Sequence, residues 1–212
     1  MLVPTAAYSY RNEANLSTNY DEGEALSLAA DILGEMYVKL DEEFMPDGEH
    51  KDGYYYMTDH HWNYDGAMKG ASIYRSALEL EEKEYTAEEL TDDFKGTLYS
   101  KVLLSELIRD SICVPGESLD TDVTVTIDGE TYDSIYFMDR LENKDKYEVF
   151  FGGNYDRVDI RNNGTETRLK PKLLIVKDSY ANSFVPFILD DFSEITMVDP
   201  RYFRGSVKDL AL

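Results

Sequence analysis

Two short apolar runs near the end of the chain, 172–176 (KLLIV) and 194–199 (EITMVD), constrain the fold more than any other feature. The LLIV stretch has no polar residue to turn toward water, the mark of a buried strand, and EITMVD reads the same way. Between them KDSYANSFVPFILDDF reads as a turn entering a helix. Strand, helix and strand in this order form a βαβ unit, which implies a parallel strand pair and places the chain in the α/β class.

Other segments carry weaker signals. Residues 22–34 (EGEALSLAADILG) put Ala25, Leu28, Ala29, Ile32 and Leu33 at helical spacing, with acidic residues in the first turn and Gly34 as a stop. MYVKL (36–40) is a short strand candidate, 41–53 a loop marked by proline and glycine, and YYYMT (54–58) an extended stretch. Asn63 or Asp65 can cap a helix running to about Leu80, with Ala67, Ala71, Tyr74 and Leu78 on one face. Leu103, Leu104, Leu107 and Ile108 suggest another helical stretch. VTVTI (123–127), the Asp128-Gly129 turn and TYDSIYF (131–137) form a hairpin, expected at the periphery as part of an insertion over 114–146. YEVFF (147–151) and VDI (158–160) read as further strands. With 212 residues, 42% of them hydrophobic, the chain can bury one sizeable core and is read as a single domain, 1–212. MLVPT at the start resembles the end of a buried strand and SVKDLAL at the finish a curtailed helix, so a longer parent is expected.

The chemistry concentrates where the βαβ unit turns. Ser179 follows the first strand and opens the helix, at the carboxyl edge where open α/β sheets collect ligands. Backbone N–H groups of the first helical turn, that of Tyr180 among them, lack intrahelical partners and could meet an oxyanion there. The ordinary alternative is that Asp178 or Ser179 merely caps the helix. A nucleophilic serine needs a base, and the chain has three histidines: His50, His60 and His61. His50 lies in a charged loop. In an extended stretch side chains alternate, so Asp59 and His61 share a face, with the carboxylate able to hold the imidazole tautomer, while His60 points away. His61 is therefore the preferred base, and Trp62 reads as a core anchor.

Four blocks taken in order, YYMTDHHWNYDGA (55–67), FFGGNYDRVDI (150–160), KLLIVKDSYANSFVPFI (172–188) and EITMVDPRYF (194–203), resemble the DHHW family of bacterial proteins. That family is similar to the SGNH hydrolase-like proteins that handle acetyl groups on exopolysaccharides, as in alginate acetylation. The resemblance implies a three-layer α/β/α fold with a mostly parallel sheet, an extracytoplasmic or cell-surface location, and a catalytic triad of Ser179, His61 and Asp59. It also implies an oxyanion site, for which Gly153 and Asn154 join Tyr180 as candidates, although GGN also reads as a tight turn. The ordinary SGNH nucleophile motif is Gly-Asp-Ser, whereas here Lys177 stands at the glycine position. The expected activity is serine-dependent acyl-ester chemistry, as O-acetyltransferase or esterase, on a polysaccharide or other acylated glycan, with no cofactor and no metal. The alternative is a non-catalytic glycan-binding or cell-envelope assembly module, to which the 17 tyrosines able to stack on sugars would contribute.

Composition bears on partners. A formal charge of −22 makes nucleic acid and anionic membrane surfaces poor partners. A single cysteine, Cys113, read as core, excludes an internal disulfide and any multi-cysteine zinc site. No apolar run approaches the roughly 20 residues of a spanning helix, so no membrane insertion by this segment is expected. Asp-His-His could in principle ligate a divalent metal in a phosphoesterase, but no further carboxylate cluster accompanies it beside the expected strands.

Overall fold

A computed structural model describes residues 1–11, 21–45, 53–102 and 108–211. His50, Leu103, Leu104 and Leu107 lie outside the described residues. The helices are α1 (Ala6–Ser9), α2 (Glu22–Leu33), α3 (Asp41–Phe44), α4 (Tyr64–Ala77), α5 (Thr97–Val102), α6 (Tyr180–Ile188) and α7 (Val207–Leu210). Strands β1 (Ala87–Phe94) and β2 (Asp110–Pro115) pair with each other. A five-stranded sheet contains β3 (Val123–Ile127), β4 (Glu130–Tyr132), β5 (Arg157–Asn162), β6 (Lys172–Val176) and β7 (Glu194–Val198) in the order β4-β3-β5-β7-β6.

The βαβ unit forms as expected: β6 and β7 are parallel, joined through α6. The mostly parallel sheet does not, because β4–β3, β3–β5 and β5–β7 are all antiparallel. A parallel neighbour needs a crossover, usually a helix. The two-residue turn at Asp128-Gly129, both at positive φ, can only return the chain antiparallel. Residues 147–151, expected as a strand, instead begin in a 3-10 turn, Lys146–Val149, and touch Tyr136 by one isolated bridge at Phe150.

The hairpin is also less peripheral than expected, since β3 hydrogen-bonds to β5 within the sheet and only β4 occupies the edge. Register places Val125, Ile160 and Ile195 side by side facing the core, while Thr126, Asp159 and Thr196 line the opposite face. On that second face Thr196 Oγ1 donates to Asp159 Oδ1 at 2.7 Å. KLLIV, expected to be buried, lies at the other edge with only β7 beside it, which leaves Val176 53% exposed.

Other corrections are local. Helix α2 forms with Asp21 as its cap, but Leu28 and Ile32 face outward and Leu26 is its buried residue. Its orientation is set at the N-terminus, where the Glu22 carboxylate takes hydrogen bonds from Thr5 N and Oγ1 at 2.8 and 2.6 Å. Residues 36–40 form no strand, and Cys113 is half-buried in β2. Strand β1 (AEELTDDF) arises in a stretch that carried no strand signal.

The core gathers around Trp62, which is fully buried and stacks on Phe184 of α6 at 6.0 Å between ring centroids. Helix α4, capped by Asn63, approaches the indole so closely that a Cβ on Gly70 would lie 2.8 Å from Trp62 Cζ3. Buried Arg75 then locks α4 to the end of α6, pairing with Asp191 at 2.6 Å and donating to the Phe187 carbonyl at 2.7 Å. The DHHW segment and α6 are thereby fixed to each other by packing.

Candidate active site

Sheet register decides which loops meet. Val176, Val198 and Arg157 are aligned across β6, β7 and β5. The end of β6, the end of β7 and the start of the antiparallel β5 therefore share one sheet edge. Ser179 leaves β6 there, Asp199 and Arg201 leave β7, and Asn154 precedes β5. Ser179, Arg201 and Asn154, together with Asp59, His60 and His61, line a cavity of about 190 Å³.

Residues 54–63 reach this edge as a closed loop: Tyr56 N donates to the His61 carbonyl at 3.2 Å and Asn63 N to that of Tyr54 at 3.0 Å. Asp59 and His61 do meet, but in a bend and not by strand alternation. Asp59 Oδ1 accepts from His61 N at 3.0 Å, an Asx-type closure, and lies 2.5 Å from His61 Nδ1. Its Oδ2 accepts from Thr97 N at 2.8 Å and Thr97 Oγ1 at 3.1 Å. Burial alone would raise the carboxyl pKa, but the hydrogen bonds from His61 and Thr97 outweigh it and hold Asp59 well below the usual carboxylate range. The carboxylate is thus ionised and fully coordinated.

His61 carries the chain onward, its Nε2 lying 2.7 Å from Ser179 Oγ. Since Asp59 requires a proton on Nδ1, Nε2 is the ring's acceptor for the serine hydroxyl. The Tyr147 ring stacks on the imidazole at 3.9 Å and 5° and fixes its plane. Tyr147 Oη also donates toward the Ser179 carbonyl at 3.1 Å and Ser183 Oγ at 3.0 Å. Trp62 Nε1 donates to the Tyr180 carbonyl and to Ser183 Oγ at 3.0 and 2.9 Å, tying the histidine's own segment to the serine's helix.

Ser179 does not cap α6 with its side chain. Asp178 takes that role, its Oδ1 accepting from Tyr180 N at 3.0 Å. This corrects the oxyanion assignment, because the Tyr180 amide is already committed. Gly153 N likewise points at the Phe150 carbonyl, 3.3 Å away. Asn154 remains, and the Ser179 N–H joins it as a donor with no partner among the described residues. The run leading to Asn154 is conformationally unusual: buried Phe151 has φ +61°, followed by Gly152 at +75° and Gly153 at +135°. GGN is therefore a tight turn, and a buried aromatic held in the left-handed region is the kind of strain found at functional sites.

His60 is not the imidazole that meets Ser179, whose Oγ lies 2.7 Å from His61 Nε2. Thr97 Oγ1 donates its single proton to Asp59, so it accepts from His60 Nδ1 at 2.8 Å. Ligand-type atoms of Asp59, His60 and His61 lie within 4.8 Å of one another. However, the Asp59 oxygens, both His61 nitrogens and His60 Nδ1 are each spent on the hydrogen bonds above, which suits proton transfer better than metal ligation.

The sequence reading missed Tyr147, Thr97, Asn182 and Arg201. Arg201 Nε and Nη2 clamp the fully buried Asp199 at 2.9 and 2.6 Å. A local signal existed for Arg201, which follows β7 much as Ser179 follows β6. None existed for Thr97, which arrives from a charged stretch 38 residues beyond Asp59.

Gly96 permits that arrival. A Cβ there would lie 2.3 Å from Asp59 Cβ and 2.4 Å from Oδ2. Gly96→Ala is therefore expected to displace the carboxylate and lower turnover about 10²-fold, the usual penalty for misplacing a reacting group by an ångström. Steady-state kinetics on an activated ester would check this, and a loss under threefold would show that Asp59 position is not limiting.

The model of the DHHW protein family matches residues 29–198. A DHHW family protein from Eubacterium siraeum is 28% identical, with TM-score 0.75, over 99% of this chain and 71% of that one. PatB1 of Bacillus cereus, in a structure with a sulfonyl adduct, is 20% identical with TM-score 0.74, over 99% and 75% of the two chains. A second PatB1 structure gives 21% and 0.66, over 97% and 74%. No curated protein matches the chain.

Proposed function

We propose, from the premise that this chain belongs to the DHHW family, that it performs serine-dependent acyl-ester chemistry on a cell-surface or extracellular polysaccharide. One observation carries the reading: the continuous hydrogen-bonded chain Asp59–His61–Ser179, with 2.5 and 2.7 Å links, in a serine not spent on capping. Ser179 Oγ attacks the acyl carbonyl as His61 Nε2 takes its proton. Asp59 holds the Nδ1–H and stabilises the imidazolium. The carbonyl oxygen, now negative, is met by Asn154 Nδ2 and the Ser179 N–H. Collapse breaks the C–O bond to the leaving alcohol, whose oxygen takes the proton from His61, and leaves acyl-Ser179. Water or a sugar hydroxyl then attacks by the reverse sequence, giving an esterase or an O-acetyltransferase. The sulfonyl adduct carried by PatB1, which has the same fold, is consistent with this reading, since sulfonyl electrophiles capture activated hydroxyls.

The test is to incubate the protein with an activated aryl acetate, with and without a soluble polysaccharide, and follow the acetyl group by mass spectrometry. Acetyl on the peptide containing Ser179, passing on to sugar or to water, is expected. Absence of both acyl-Ser179 and acetyl release would sink the proposal. A cell-surface site of action belongs to the same proposal, and surface labelling of intact cells would check it.

A further inference from the structure

Lys177 interrupts the nucleophile motif at the position where glycine is ordinary, and it is buried, only 6% exposed. Its Nζ donates to Asn182 Oδ1 at 2.7 Å and to Asn154 Oδ1 at 3.3 Å, while Asn182 Nδ2 donates to the same Asn154 Oδ1 at 3.2 Å. Its backbone N–H is anchored on the Val198 carbonyl at 2.9 Å. An ammonium has three donors and no acceptor. Both asparagines must therefore present oxygen to it, and that leaves Asn182 only its amide nitrogen to offer Asn154. Turning the Asn154 amide over would create two donor–donor contacts at once. Asn154 Nδ2 is thereby left as the group free to face the cavity shared with Ser179 and His61.

We infer that Lys177 is the positioning residue of the oxyanion site, fixing through Asn182 the direction in which Asn154 donates. The inference rests on the acyl-ester reading for its catalytic consequence, though not for its geometry. Glycine at 177 would offer no donor to set the asparagine. The lysine is in this sense a replacement device, not a sign of lost activity.

Burial makes the device titratable. Burial pushes the Lys177 ammonium down to about 8, with Asp199 and Asp178 acting to raise it and Arg201 to lower it. A neutral amine can accept as well as donate, so the constraint on Asn154 relaxes as pH rises through this value. An oxyanion-dependent step should accordingly fall on the alkaline side near pH 8.

The experiment compares wild type, Lys177→Met, Asn154→Ala and the double variant on an activated aryl acetate, alongside sulfonyl fluoride labelling of Ser179. Lys177→Met is expected to lower kcat about 10²-fold, the scale of losing one oxyanion donor, with little change in KM, and to abolish the alkaline limb. Acting through Asn154, it should add nothing in the double variant. Multiplicative losses would overturn the inference. Asn182→Ala breaks the same relay without touching the lysine and serves if Lys177→Met does not fold. A readout independent of turnover is the ¹⁵N side-chain amide resonance of Asn154, expected to titrate near pH 8 in wild type and not in Lys177→Met. A resonance unmoved between pH 6 and 10 would overturn the inference. If wild-type Ser179 neither labels nor turns over, the acyl-ester reading fails, and the amide resonance still decides the role of Lys177.

Discussion

Replacing Ser179 by alanine is expected to lower turnover of an activated acetyl ester by at least about 10³-fold and to abolish sulfonyl labelling, while leaving the fold intact. The fold should survive because the hydroxyl does no structural work: α6 is capped by Asp178, and the Ser179 side chain has His61 Nε2 as its hydrogen-bond partner. His61 keeps its own orientation from Asp59 and the Tyr147 stack. A large kinetic loss with an unchanged melting temperature would therefore isolate the nucleophile's role. A residual rate above the uncatalysed one is compatible with this, because an oxyanion site and a general base still act on water when the nucleophile is gone. Equal rates in the two proteins would remove Ser179 from the chemistry.

How far the sequence foretold this arrangement depends on whether the controlling contacts are local. The β6–α6–β7 unit is written in consecutive residues, and the place of Ser179 at its turn follows directly. The antiparallel entry of β5 does not, because partner choice for a strand is decided by residues far along the chain. His61 was chosen for the right neighbour by the wrong geometry: Asp59 and His61 meet in a bend closed by Asp59 Oδ1 on His61 N, not on one face of a strand. Strand β1 was illegible because AEELTDDF is mostly exposed and pairs only with β2. The opposite error occurred at 147–151, where Tyr147, Val149, Phe150 and Phe151 are all buried around a 3-10 turn, and a run of apolar residues alone cannot tell that from a strand. A use for Lys177 was not legible because its contacts are with Asn154 and Asn182, whose side chains the sequence could not bring to it.

Asp59→Asn is expected to reduce kcat by about 10⁴-fold, the scale seen when a triad carboxylate becomes an amide, with a physical origin specific to this site. Each carboxylate oxygen meets a backbone N–H, Oδ1 that of His61 and Oδ2 that of Thr97. An asparagine must point its NH₂ at one of these donors, so it cannot reproduce the carboxylate in either orientation. If the nitrogen faces His61, it also donates to Nδ1, which shifts the ring proton to Nε2 and removes the acceptor that Ser179 needs. If it faces Thr97, the imidazolium formed during attack has no charge beside it. Either way one buried N–H loses its partner, a stability loss of about 1–3 kcal/mol at neutral pH. The pH dependence supplies a separate check. Because the folded-state pKa of Asp59 is held below its ordinary value, the wild type has this stabilisation in full above about pH 4 and loses it as pH falls below that toward the folded value. Asparagine has nothing to titrate. The stability gap between the two proteins should therefore be widest near neutrality and narrow on acidification below about pH 4. Denaturant titrations at pH 7 and pH 3 measure it, and a gap that stayed constant would show that the carboxylate's hydrogen bonds do not stabilise its charge.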